Sequence, residues 1–295
     1  MAHEQLEELT LGGRELDERG ADPDAPARGV HAELAEREAV GARRARPPEA
    51  CPICADPRQY VGLDGQRWTT LTELAATHTN TIRAQGDLTG IGTEPKFAIG
   101  QRALLVPYGE SNLLWDCVTL LDDATAAEVE RRGGLAAIAI SHPHYYSAMV
   151  EWAHRFDCPI HLHGADARWI MRSDPAIRHW HGEILDLGHG LTLIRGGGHF
   201  RGGAILHRAD GAGALLTGDI VQVVPDRSHV AFMWSYPNLV PLPAAEVNRM
   251  AAALAGYAYE AIYGAWWDAI IPAGGPEIVR RSAERYGRAV REVLG

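Results

Sequence analysis

His142 and His144 stand two residues apart in Ile138-Ala139-Ile140-Ser141-His142-Pro143-His144-Tyr145-Tyr146-Ser147, just past a short apolar run. Two imidazoles at that spacing beyond a strand end can turn toward one point and chelate a single ion. A second ion would want carboxylate or imidazole at the next positions, and the chain offers Tyr145, Tyr146 and Ser147. The chemistry expected here runs on one metal. Further along, Gly196-Gly197-Gly198 leads to His199, and Leu215-Leu216-Thr217-Gly218 leads to Asp219. Small residues let the backbone come close to a site, and both donors sit at predicted strand ends. Three neutral imidazoles and a carboxylate suit Zn(II), about one ion per chain, whereas two of the histidines with Asp219 and open positions also suit Fe(II).

Other histidines read differently. His161 and His163 also lie two apart and face one side of a strand, as packing residues, cleft lining or a second metal pair. His179-Trp180-His181 reads as a surface loop with a packed Trp. The aromatic stretch from Asp226 to Asn238 follows Asp219 and reads either as a core-lining loop or as an apolar wall over the metal. His229 within it is the candidate proton shuttle.

The elements that must position these groups follow from periodicity. Phe97 to Val106 and Asn112 to Leu120 predict a β-hairpin across a Pro107-Tyr108-Gly109-Glu110-Ser111 turn. Thr125 to Arg132 predicts a helix capped by Asp122 or Asp123, and Leu135 to Ile140 the strand that delivers the histidine pair. Tyr145 to Arg155 predicts a helix, and Ile160 to Leu162, Leu191 to Arg195, Ala204 to His207 and Ala214 to Thr217 predict strands. Helices over Ala244 to Ala255 and Glu277 to Val293 complete the chain. This order implies an α/β fold of two mixed sheets packed face to face and flanked by helices. Residues 1–48 lack aromatics and carry scattered leucines, which predicts a flexible polar arm, with at most a solvated helix from His31 to Arg46. Residues 49–95 form a small segment around Cys51-Pro52-Ile53-Cys54, expected to pack on the main domain of residues 96–295. That CxxC has no second knuckle, since Cys117 and Cys158 lie in strand-like contexts, so a structural zinc, a redox pair and plain loop cysteines all stay open.

The 295 residues carry a formal charge of -10 and are 46% hydrophobic, enough for a substantial core. No cluster of Lys and Arg marks the motif-bearing part, which argues against nucleic acid. The chain has no apolar run of membrane-span length and no secretory signal pattern at its start, so no membrane partner and a cytoplasmic location are expected. Four cysteines at irregular spacing fit a reducing compartment.

The order of His142, His144, His199 and Asp219, each in its strand-end context, resembles the metallo-β-lactamase fold superfamily over about Lys96 to Tyr286. The resemblance implies an αββα four-layer sandwich, a three-histidine site at His142, His144 and His199, and a bridging carboxylate at Asp219. Where that pattern has Asp and His after its HxH, this chain has Tyr146 and Ser147, and no His stands near Tyr263-Gly264-Ala265-Trp266-Trp267. Gly100 to Leu105, Ile140 to Tyr146 and Ser235 to Asn238 are similar to a branch of the superfamily with a cysteine-containing segment ahead of the hydrolase-like domain. Without the usual Asp, the base or oxyanion role falls to Asp219, Tyr145 or Tyr146. The expected activity is hydrolysis of a small-molecule ester, thioester, lactone or amide. A mononuclear iron oxidoreductase and a non-catalytic binding protein are the alternatives.

Overall fold

Period-two alternation in the apolar strands sorts side chains between two faces, and three separate cores result. The computed structural model describes residues 52–53, 55–65 and 69–293; the expected arm of residues 1–48, its helix from His31 to Arg46, and Cys51 and Cys54 lie outside the described residues. Helix α1 (Leu71–Thr77) opens with a capping box in which Thr70 and Glu73 satisfy each other's backbone N–H groups. Then come β1 (Thr79–Gln85), β2 (Leu88–Glu94), β3 (Arg102–Tyr108) and β4 (Ser111–Trp115), paired antiparallel in sequence order. Strands β5 (Ala137–Ala139), β6 (Ile160–His163) and β7 (Ile177–Trp180) extend this first sheet in parallel. Parallel neighbours need crossovers, supplied by α2 (Asp123–Arg131), α3 (Met149–Phe156) and the 3-10 segment Gly164–Trp169 between β6 and β7.

The second sheet begins with β8 (Ile184–Gly188), β9 (Leu191–Arg195), β10 (Ala204–Arg208) and β11 (Ala214–Gly218), all antiparallel. Two short ribbons follow, β12 (Gln222–Val223) with β13 (Val230–Ala231) and β14 (Met233–Ser235) with β15 (Val240–Pro241). Helix α4 (Ala244–Leu254) leads to β16 (Ala261–Gly264), parallel to β11, and to β17 (Ile270–Ile271), before α5 (Gly275–Val293). Leu104, Val106, Leu113, Trp115, Ala137 and Ala139 of the first sheet meet Leu191, Leu193, Leu206 and Leu216 of the second in the inter-sheet core. Their neighbours Leu105, Leu114 and Ile138 turn outward onto Val129 of α2 and Trp152 of α3, while Ile194, Ile205 and Leu215 turn onto Val247 of α4 and Val279 of α5. Helix, sheet, sheet, helix is the expected four-layer order.

Details differ from the sequence reading for local reasons. The hairpin sits later at its start, because Phe97 to Gly100 closes a turn through Gly100 N–H to the Phe97 carbonyl. It stops at Trp115 because Asp116 turns left-handed at φ 62°. The helix expected from Tyr145 is a 3-10 turn, Pro143–Tyr145, followed by α3 from Met149. The sheet itself begins at Thr79, ahead of residue 96, where the main domain was expected to start. Glycines in β2 explain why that strand is hard to read: a Cβ on Gly90 or Gly92 would lie 2.6 or 2.5 Å from the Trp267 ring, so both positions make room for it. Among the described residues no helix is long and apolar enough to cross a membrane.

Candidate metal centre

The donors emerge from the carboxyl ends of three strands. His142 and His144 follow β5 in the first sheet, and His199 and Asp219 follow β9 and β11 in the second. One donor atom from each of the four lies within 4.8 Å of the others.

Each donor is aimed by a partner behind it. His199 Nδ1 lies 2.8 Å from the Trp234 carbonyl, which can only accept, so Nδ1 carries the proton and Nε2 keeps its lone pair. His142 Nδ1 lies 2.8 Å from Ser141 Oγ. The Ser141 hydroxyl is hydrogen-bonded to Asp116, whose Oδ1 also accepts from Ser141 N–H at 2.7 Å. When Asp116 is ionised and accepts from that hydroxyl, His142 Nδ1 is the donor and Nε2 keeps its lone pair. Burial pushes the Asp116 carboxyl up to about 7. Asp219 Oδ2 accepts from Gln101 Nε2 at 3.3 Å, and the Tyr236 hydroxyl donates to the Asp219 carbonyl at 2.8 Å.

Burial, with neighbouring imidazoles second, holds His142 well below the usual imidazole range. His144 keeps some surface exposure, yet desolvation around its ring, then His199 and Arg58, push it down to about 3. Burial also lowers His199 and raises Asp219. The three imidazoles are therefore neutral at pH 7, the state a metal ligand requires.

What remains on the inside of the cluster is a set of acceptors without donors. His142 Nε2, His199 Nε2 and Asp219 Oδ1 are all buried without a hydrogen-bond partner. His142 Nε2 and Asp219 Oδ1 stand 3.1 Å apart without making a hydrogen bond. Bare lone pairs gathered around one point, inside the protein, are stabilised by a cation and costly without one. The residues present fit a single divalent ion of the Zn(II) or Fe(II) type.

The other expected residues divide. The Tyr145 ring meets the His142 ring edge-on at 5.2 Å, and its buried hydroxyl has no partner. Tyr146 is buried in the core between the first sheet and its helices and makes no ring contact with the cluster. His229 is placed elsewhere: its Nδ1 meets Ser228 Oγ and its charged neighbours are Arg281, Arg285 and Asp226, because β13 carries it toward α5. The shuttle role expected for it is withdrawn. His163 uses both nitrogens on backbone, Nε2 on the Gly182 carbonyl and Nδ1 from Ala165 N–H, which removes the second metal pair. Trp180 is packed as expected, although it ends β7 instead of lying in a loop. The aromatic stretch splits: Phe232 enters the core of the second sheet, the Trp234 ring packs against that core with the Arg58 guanidinium 5.3 Å away, and Tyr236 lies 5.6 Å from His199.

Sequence reasoning misses Asp116, Asp166, Gln101, Asp56 and Arg58. Asp116 ends a strand much as Asp219 does, so that context is a usable signal; the others carry none. Asp166 Oδ1 accepts from Gly202 N–H at 2.9 Å, its Oδ2 is buried and partnerless, and burial pushes it up to about 6. A carboxyl raised in the folded state contributes stability below its unfolded value and loses it as pH rises through about 6. The neutral Asp166→Asn variant, whose amide oxygen still accepts from Gly202, should therefore gain on wild type from pH 4 to 6. Above that the gain should level off, on the order of 2–3 kcal/mol. Melting curves across pH check it, and a difference independent of pH counts against it.

Known proteins share parts of this geometry. No family model matches the sequence. The Bacillus subtilis (strain 168) protein YmaE is 46% identical over 254 residues, which cover 84% of this chain and 92% of the relative. The chain belongs to the YmaE family. Among solved structures, the metallo-β-lactamase DIM-1 superposes with TM-score 0.55 at 12% identity, covering 71% of this chain and 98% of that one. The chemotaxis sensor ODP, in a diiron form, gives 0.51 at 15% identity, covering 70% and 94%. These likenesses show that this member of the YmaE family has the metallo-β-lactamase fold.

Proposed function

We propose that the protein is a metal-dependent hydrolase of a small-molecule ester, thioester, lactone or amide, working with one zinc ion held by His142, His144, His199 and Asp219. The observation that carries the reading is the 3.1 Å approach of two buried atoms without a hydrogen-bond partner, His142 Nε2 and Asp219 Oδ1, beside the equally partnerless His199 Nε2. When bound, zinc supplies Lewis-acid polarisation of an acyl oxygen and lowers the pKa of water toward 7. The chain supplies the rest. Asp219, raised by burial and steadied by Gln101, is the carboxylate best placed to hold a proton during turnover. The Tyr145 phenol, raised well above its usual range by burial, acts only as a donor, and its partnerless hydroxyl suits a developing oxyanion. The Tyr236 ring against His199 and the Phe200 ring against all three histidines favour a partly apolar substrate.

The second reading is a mononuclear iron oxidoreductase, favoured by the suitability of two histidines and a carboxylate for Fe(II) and by the diiron form of ODP on the same fold. Elemental analysis of protein purified without added metal separates the two. About one zinc per chain, with zinc-dependent turnover of an activated ester or thioester panel, supports the hydrolase. Iron turns the assay to oxygen consumption. Protein that takes up no metal, even when zinc is offered, overturns both and leaves a ligand-binding protein on a hydrolase-like fold.

A further inference from the structure

Arg58 belongs to the stretch that precedes both sheets, yet its side chain ends behind the site, against His199 and Phe200. The residue is 6% exposed, and its Nη1 donates to the backbone carbonyl of His199 at 2.8 Å across 141 residues of sequence. The rest of the guanidinium is taken by one carboxylate: Nε and Nη2 donate to the two oxygens of Asp56 at 2.6 and 2.7 Å. Its Cζ lies 3.9 Å from the centre of the Phe200 ring, with Trp169 and Trp234 at 5.1 and 5.3 Å. The Phe200 ring in turn packs against all three histidines, with centroids 5.5 Å from His142, 5.1 Å from His144 and 4.9 Å from His199. Between Asp56 and Arg58, the Pro57 carbonyl is pinned by Ser235 Oγ at 2.6 Å and Asn238 Nδ2 at 2.5 Å. These belong to the loop whose Trp234 carbonyl holds the His199 ring.

Packing alone is a weak reason to bury an arginine, because apolar residues of similar size fill such a space without desolvating a charge. This one commits its fork to a carboxylate and to the main chain of a ligand, while its flat face covers the residue next to that ligand. Pairing with Asp56 also offsets the positive charge it brings near a cation site. We infer that Arg58 is a positioning residue of the metal centre, fixing His199 and Phe200 from the side of the chain that precedes the sheets. The inference rests on the metal reading above and adds that the centre is complete only when residues 56–58 are docked. The planar fork is what matters, since a lysine ammonium cannot span the Asp56 carboxylate and the His199 carbonyl in the same way.

The test is zinc affinity of the full chain, by competition with a chromophoric chelator, for wild type, Arg58→Met and Arg58→Lys. Folding is checked by far-UV circular dichroism, and geometry by the visible spectrum after cobalt substitution. Both variants should bind one zinc about 10–100-fold more weakly, the usual size of the effect when a ligand loses its supporting partner, with an altered cobalt spectrum. Unchanged zinc affinity in a folded variant, even with a lower melting temperature, overturns the inference and leaves Arg58 as packing. Full affinity in Arg58→Lys overturns it as well, since charge alone would then suffice. If Arg58→Met does not fold, Arg58→Lys decides by itself. Wild type that binds no zinc overturns the metal reading and this inference together, a pattern distinct from tight wild type with equally tight variants.

Discussion

Replacing His142 and His199 together by alanine should abolish zinc binding while leaving the fold in place. Zinc held by several protein ligands is bound with roughly 10–16 kcal/mol in small zinc-dependent domains. Losing two of four donors here should forfeit about half of that, leaving roughly 5–8 kcal/mol and a dissociation constant of about 1–200 μM, so that equilibrium dialysis at submicromolar zinc retains none. The fold should survive because both replaced side chains carry a buried acceptor without a donor in the metal-free protein. Removing such an acceptor recovers about 1–3 kcal/mol, against a cavity penalty of similar size. Zinc should raise the melting temperature of wild type and leave the double variant where it was. Retained stoichiometric zinc in the variant would place the ion elsewhere.

A second large effect is expected one residue before Asp219. Gly218 is buried with φ 53°, and a Cβ there would lie 2.6 Å from Ser141 Oγ and 3.0 Å from Ser141 Cβ. Ser141 is the residue that orients His142, so the clash falls on the support of the metal site itself. Gly218→Val combines left-handed strain of about 1–2 kcal/mol with overpacking of about 1–3 kcal/mol. A total near 2–5 kcal/mol should lower the melting temperature by roughly 5–15 °C, and zinc affinity should fall with it because Ser141 must move. Gly218→Ala should show a smaller version of both. A valine variant that melts with wild type would mean that Ser141 turns aside freely.

Much of this centre is legible in the amino-acid order. An apolar run of period two that ends in a histidine or an aspartate places a donor at a sheet edge, and His142, His144, His199 and Asp219 all follow that pattern. The same rule places the four layers, since Leu104 and Leu105, or Ile205 and Leu206, must face opposite cores. Contacts without periodicity stay hidden. Nothing in Asp56-Pro57-Arg58 says that its guanidinium reaches the His199 carbonyl, and nothing in the aromatic stretch after Asp219 says that Phe232 and Trp234 pack on the core while Tyr236 turns to His199. His229 misleads because closeness in sequence to Asp219 is not closeness in space, and the β12–β13 ribbon carries it away. Tyr146 shares its strand-end loop with the ligands, yet the 3-10 turn after Pro143 sends it into the apolar core.

Two of the four donors hang from one sheet and two from the other. An ion between them would therefore be a rivet through both halves of the sandwich, added to surfaces already joined by side-chain packing and by hydrogen bonds such as Ala204 N–H to the Ser141 carbonyl and the Tyr108 hydroxyl to the Leu187 carbonyl. Packing resists separation well but sliding less well, whereas a coordination sphere resists both. On the metal reading, metal supply would act on the whole molecule, because an ion at a thousand times its dissociation constant adds about 4 kcal/mol to the native state. A chain starved of metal would lose purchase first at the mouth of the sandwich, where the donors meet, and the far end of the sheets would feel it last.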